Sequence, residues 1–265
     1  MAAAYDQFFL FGDSITEQSS DQGRGFSFAA ALQYAYIRRL DVVNRGFSGY
    51  NTDQAVDVLP MIIPAPEYAR IRFLMVFFGA NDASIPEALN KQHVPLARYR
   101  ENLLRIVTHP AIVAHKPRVI LVTPPPVNEH LQWIRDKARG FERVSRTAVA
   151  TKSYADAVCE LGKELGIPVL NLWKTFISKT GWKIEEPIPG SMEINENSIL
   201  EDLMHDGLHF NPAGYRILYD EMMKLIAEHW PDQLPENLPY IFPTWNDDLA
   251  WETFEQKTNQ NEDTK

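Results

Sequence analysis

Phe8-Phe9-Leu10-Phe11-Gly12-Asp13-Ser14-Ile15-Thr16-Glu17 is the stretch on which the reading of this chain turns. Four consecutive large apolar residues predict a strand buried on both faces, as in a parallel sheet, because alternation would appear if one face met water. The run stops at a glycine, an acid and a serine, so Ser14 falls at the carboxyl end of the first strand. Open α/β sheets keep their ligand crevice at that edge. Ser14 is therefore a candidate nucleophile, although a Gly-Asp-Ser turn between strand and helix also occurs in proteins that bind nothing.

Working outward, the same strand signal recurs. A helix is expected from about Phe26 to Leu40 and a short second strand at Asp41–Asn44. Asn51 or Thr52 can cap the helix that follows. Ile71–Phe78 is the strongest strand of the chain and ends in Gly79-Ala80-Asn81-Asp82. Helical spacing over Leu96–Ala114 precedes a fourth strand at Arg118–Val122, which stops at three prolines. A charged helical stretch from about Glu142 to Leu165 ends at Gly166, and Val169–Leu172 reads as a fifth strand. Residues 173 to 204 read as a polar excursion. Asn211 and Pro212 then open a last helix. Repeated β-α alternation requires parallel strands with right-handed crossovers. The expected fold is a three-layer α/β/α sandwich around a five-stranded parallel sheet, flavodoxin-like, over residues 1–230. Residues 231–265, in which prolines alternate with aromatics, are expected to drape over the domain or a neighbour, with a disordered acidic end beyond Glu255.

Composition narrows the classes of function. A formal net charge of −9, with no basic cluster longer than Arg38-Arg39, argues against a nucleic-acid partner. The single cysteine, Cys159, excludes an internal disulfide and a multi-cysteine zinc site, and its helical setting suggests a buried structural thiol. No secretory leader, membrane-spanning run or glycosylation sequon is evident, which points to a cytoplasmic protein. His205 and His209 lack the intervening glutamate of a zinc-protease motif, so no metal is expected. The remaining histidines, His93, His109, His115, His130 and His229, read as solvated. Gly25-Phe26-Ser27-Phe28-Ala29 imitates a nucleophile elbow but follows no strand, which places Ser27 on a helix.

The loops at the strand ends and before the last helix each bring one reactive or polar group. A serine nucleophile needs a base within hydrogen-bond reach and a third group to orient that base. His209 can accept the Ser14 proton, and Asp206, three residues earlier, can hold the other ring nitrogen. The N–H groups of Ser14 and Gly49 and the amide of Asn81 can converge on an oxyanion. Taken singly, Asn81 is equally an ordinary turn residue, and Asp206 and His209 are equally caps of the last helix.

Taken together, Gly12-Asp13-Ser14, Gly49, Gly79-Ala80-Asn81-Asp82 and Asp206-Gly207-Leu208-His209 resemble, in order, the four blocks of the SGNH (GDSL) hydrolases. His93-Val94-Pro95-Leu96 and Thr123-Pro124-Pro125-Pro126 are similar to the isoamyl acetate-hydrolysing esterases of fungi and plants. The resemblance implies Ser14 as nucleophile, His209 as base, Asp206 as orienting acid, an oxyanion hole of Ser14, Gly49 and Asn81, and no cofactor. The loops at the strand ends supply Phe47, Ile85, Pro125 and Val127 as apolar wall candidates, so the expected substrate is a small acetate-type ester of an alkyl alcohol. The competing expectations are a lysophospholipase or acyl-thioesterase acting on longer chains, and a non-catalytic interaction module. Monomer and homodimer both remain open.

Overall fold

The computed structural model describes residues 5–262. In chain order the elements are β1 (Asp6–Gly12), α1 (Ser14–Glu17), α2 (Phe28–Ala35), β2 (Leu40–Gly46), α3 (Thr52–Ile62) and β3 (Ile71–Phe77). Then come α4 (Leu96–Val107), α5 (Pro110–Val113), β4 (Arg118–Val122), α6 (Glu129–Ala138), α7 (Ala148–Leu165) and β5 (Val169–Leu170). The chain ends with α8 (Leu172–Lys179), α9 (Ser198–Leu203), α10 (Pro212–His229) and α11 (Asp248–Glu262).

All five strands pair in parallel in the order β2-β1-β3-β4-β5. The period-2 geometry of a strand sends successive side chains to opposite faces, and here both faces are covered. Phe8 and Leu10 join the core under α2, α8, α9 and α10, whereas Phe9 and Phe11 join the core under α3, α4 and α7. The expected three-layer sandwich is present. Strand order reverses at β1, between β2 and β3, so the loops leaving β1 and β3 diverge into a crevice at the carboxyl edge of the sheet.

Several local expectations are corrected. The helix expected over 26–40 is only α2, with Ser27 as its N-cap residue rather than within it, and its buried hydroxyl donates to the Ser19 carbonyl. The helix expected over 96–114 breaks before Pro110, whose ring cannot follow the preceding turn, giving α4 and α5. Thr147 caps α7, so that helix starts at Ala148 rather than near Glu142. A separate helix, α6, precedes it, with the Asn128 side chain accepting from the N–H groups of His130 and Leu131. The excursion over 173–204 contains most of α8 and all of α9.

His115 is buried, not solvated: its Nδ1 accepts from the Ile71 N–H, which leaves Nε2–H to donate to the Pro64 carbonyl. His130 is half-buried against the Ser191 and Ile194 carbonyls. Cys159 is half-exposed, and the Asn171 amide donates to its sulfur at 3.1 Å. Burial pushes its thiol up.

Beyond Pro231 the chain lies against the α2–β2 turn. The Tyr240 ring sits under the guanidiniums of Arg38 and Arg39, at 4.2 and 4.4 Å, and Arg38 donates to the Phe242 and Pro243 carbonyls. Past Glu255, where disorder was expected, α11 continues to Glu262; residues 263–265 lie outside the described residues. Asp247 opens that helix by accepting from the Ala250 N–H, and the acid Asp248 sits in its first turn, where the helix dipole favours negative charge.

Candidate active site

Ser14 is the first residue of α1, and the carboxylate of Asp13 before it accepts the Ile15 N–H. That short turn holds the Ser14 side chain at the sheet edge. Far along the chain, Asp206 folds back on its own backbone: its Oδ1 accepts from the N–H groups of Leu208 and His209 at 3.1 and 2.8 Å. Gly207 makes this turn possible. Its φ is +83°, and a Cβ there would stand 2.4 Å from the Asn128 carbonyl oxygen.

The two segments meet. Ser14 Oγ lies 2.8 Å from His209 Nε2, and Asp206 Oδ2 lies 2.8 Å from His209 Nδ1. Both nitrogens of one buried imidazole are thus engaged, on opposite sides of the ring. With Nδ1–H donated to the carboxylate, Nε2 is left as an acceptor aimed at the hydroxyl. Burial opposes ionisation of Asp206. The hydrogen bond and charge of His209, the His209 N–H and Arg135 outweigh it, and hold the Asp206 carboxyl well below the usual carboxylate range.

The donors expected around an oxyanion border the same cavity of about 330 Å³, which Ser14, Gly49, Asn81 and His209 help to line. The backbone N–H groups of Ser14 and Gly49 have no hydrogen-bond partner among the described residues. Gly49 has φ +83°, while a Cβ there would meet its nearest neighbour at an ordinary 3.4 Å; its constraint is conformational rather than steric. Asn81 is buried, and its Nδ2 donates to the Tyr50 carbonyl at 2.9 Å.

Three residues not foreseen from the sequence complete the site. Arg146, almost wholly buried, donates to the Ala80 carbonyl, Asn81 Oδ1 and Gln92 Oε1 at 2.6, 2.9 and 2.8 Å. Burial pulls its guanidinium down to about 10, which still leaves it charged at neutral pH. Because a guanidinium has no acceptor, it fixes Asn81 with Oδ1 toward Arg146 and Nδ2 away. Arg135, on α6, places Nη1 2.6 Å from Asp206 Oδ2 and 3.3 Å from His209 Nδ1. Arg139, one helical turn further on, also lines the cavity. The Asn128-Glu129 cap, with Arg135 and Arg139 four residues apart, was the available sequence signal for this helix face.

The apolar walls expected from the loops are elsewhere. Phe47 packs its ring against Phe11 and Tyr50, Pro125 and Val127 are buried behind the rim, and Ile85 lines a neighbouring hollow. A residue next to a strand end is as easily pointed into the core as into the crevice, and these side chains gain more by burial. The cavity is instead mostly polar, with Phe141 and Leu208 as its apolar lining.

His205, Asp206 and His209 bring ligand-type atoms within 4.8 Å of one another. Ser14 and Asp206 already engage both His209 nitrogens, and the permanent cation of Arg135 sits against the carboxylate, so this set favours proton transfer over holding a divalent ion.

A profile of the GDSL-like lipase/acylhydrolase family matches residues 10–217. The isoamyl acetate-hydrolyzing esterase 1 homolog of Rattus norvegicus is 35% identical over 240 residues, covering 90% of this chain and 86% of that protein. The isoamyl acetate-hydrolyzing esterase of Saccharomyces cerevisiae is 31% identical over 255 residues, covering 92% and 96%. A crystal structure of a lipase/acylhydrolase from Enterococcus faecalis superposes with a TM-score of 0.57 at 23% identity, covering 89% of this chain and 98% of that one. Fold and relatives together define a carboxylic-ester hydrolase. More narrowly, the chain belongs to the GDSL-like lipase/acylhydrolase family, the SGNH hydrolases.

Proposed function

We propose that the protein hydrolyses small acyl esters through a covalent acyl-enzyme on Ser14. His209 Nε2 takes the Ser14 proton as Oγ adds to the ester carbonyl. The carbonyl electron pair moves onto oxygen, where the N–H groups of Ser14 and Gly49 and the Asn81 amide meet the developing charge. Collapse of that adduct breaks the ester C–O bond, and His209 gives its proton to the departing alcohol. Water, deprotonated by the same nitrogen, then attacks the acyl-enzyme and releases the acid. Asp206 stabilises the imidazolium formed in both halves and stays ionised throughout. Arg135, shared between Asp206 Oδ2 and the edge of the ring, holds the carboxylate in line.

The observation that carries this reading is the unbroken chain of contacts Ser14 Oγ–His209 Nε2 and His209 Nδ1–Asp206 Oδ2, both at 2.8 Å, opening onto a cavity. Similarity to relatives named as isoamyl acetate-hydrolyzing esterases supports the choice of acetate-type esters. The polar lining also counts against the long-acyl alternatives, since a fatty chain would have to desolvate amides and guanidiniums that it cannot pair. The test is Ser14→Ala on p-nitrophenyl esters of increasing acyl length, together with fluorophosphonate labelling of the unmodified chain. Undiminished turnover in the variant, or no label on Ser14, would reject the mechanism. An optimum at long acyl chains would reject the small-ester reading alone.

A further inference from the structure

The charges around the cavity do not cancel in pairs. Arg135 is committed to Asp206 at 2.6 Å. Arg146 is committed to the Ala80 carbonyl and the side chains of Asn81 and Gln92. Asp136, an acid on the cavity lining, is satisfied by Gln132 Nε2 at 2.8 Å and the Ser145 N–H at 2.6 Å. Arg139 is left. It lines the cavity, it is exposed, and its side chain has no hydrogen bond, ion pair or ring contact among the described residues; only its backbone N–H is engaged, by the Asp136 and Lys137 carbonyls.

The chain has 35 acidic residues against 26 basic ones, yet among the described residues no carboxylate lies within ion-pair distance of this guanidinium. Arg143, on the same loop, is by contrast paired with Glu87 at 2.8 Å. Arg139 presents a fork of donors in a fixed plane, the geometry that binds a carboxylate or phosphate with two parallel hydrogen bonds. It follows Arg135 by one helical turn, and therefore faces the same side of α6 as the residue touching Asp206. A group held by Arg139 would belong to the same molecule whose ester lies at Ser14.

We propose that the ester hydrolysed here carries an anionic group, a carboxylate or a phosphate, on its alcohol portion, and that Arg139 binds it. This rests on the ester-hydrolase reading and deepens it. A small acyl group on Ser14 leaves the alcohol to fill the remaining cavity. The mostly polar lining there, with the unpaired Arg139 guanidinium in it, suits a charged alcohol better than a plain alkyl one.

The test compares kcat/KM on three acetate esters of near-equal leaving ability. Their alcohols are para-(hydroxymethyl)benzoate, para-(hydroxymethyl)phenyl phosphate and the neutral para-(hydroxymethyl)benzamide. At low ionic strength at least one anionic ester is expected to be preferred over the amide by about tenfold, mainly through KM, with the larger ratio identifying carboxylate or phosphate. Arg139→Gln should bring that ratio close to one, and Arg139→Lys should keep part of it. Arg143→Gln should leave it where it was, which separates local contact from the general field of the surface. Added salt should compress the ratio, because the guanidinium is exposed. A ratio at or below one for both anionic esters, or a preference that survives Arg139→Gln, overturns the inference. If Ser14→Ala hydrolyses all three as fast as the unmodified protein, the ester-hydrolase reading fails instead, and this inference with it.

Discussion

Replacing Arg146 with Lys tests whether a buried cation acts through Asn81. The arginine spans the Ala80 carbonyl, Asn81 Oδ1, Gln92 Oε1 and Ser145 Oγ, at 2.6 to 3.2 Å. A lysine nitrogen has three protons at one point and cannot serve all four acceptors, so at least one of them loses its donor. At about 1–3 kcal/mol for each orphaned group, the variant should lose at least about 1–3 kcal/mol by urea denaturation. That is within the stability of an ordinary domain, and the protein should remain folded. The kinetic effect has a different origin. With Oδ1 of Asn81 no longer clamped, the amide can turn and its N–H leaves the oxyanion site. Complete loss of one such donor costs about 10²–10³ in kcat, which sets the ceiling for Arg146→Lys. The assay is a double-mutant cycle on p-nitrophenyl acetate with Asn81→Ala. If Arg146 works through Asn81, the lysine substitution lowers kcat in the parent chain and hardly at all in the Asn81→Ala background. Equal losses in both backgrounds would refute the reasoning.

Other expectations follow from the same geometry. His209→Ala should lower kcat by about 10³–10⁴ and Asp206→Asn by less, since the first removes the proton acceptor and the second only its orientation; comparable, negligible losses would show that the pair is misassigned. Arg135→Gln should reduce kcat by about three- to tenfold with little change in KM, measured on the same ester, because its contact steadies Asp206. Burial, partly offset by hydrogen bonds from Thr52, pushes the Asp82 carboxyl up to about 7 from an ordinary value of 3.8. The stabilisation from its bound proton is complete below 3.8 and lost as pH rises through about 7, so unfolding free energy should fall across that window. Asp82→Asn should flatten this decline, by up to about 1 kcal/mol per pH unit in urea titrations; an unchanged slope would contradict the assignment.

Features that depend on local pattern and on chain order could be read directly from the residues. Unbroken apolar runs at β1 and β3 made a buried parallel sheet unavoidable, and the β-α alternation fixed crossover handedness and layer count. Ser14, Gly49, Asn81, Asp206 and His209 were legible as candidates because each sits in a short polar block directly after a strand or before the last helix. Boundaries were less legible, since caps such as Thr147 and breaks such as Pro110 shift a helix end without disturbing its periodicity. Tertiary structure alone decided what surrounds the serine. Arg135, Arg139 and Arg146 lie on a segment whose composition looks like any solvated charged surface. Only the packing of α6 and its following loop over the crevice turns one of them into a clamp on Asn81 and another into a partner of Asp206. The four expected wall residues failed for the same reason. Proximity in sequence to a strand end says nothing about which way a side chain points, and burial in the nearest core competes with lining a cavity for every apolar group.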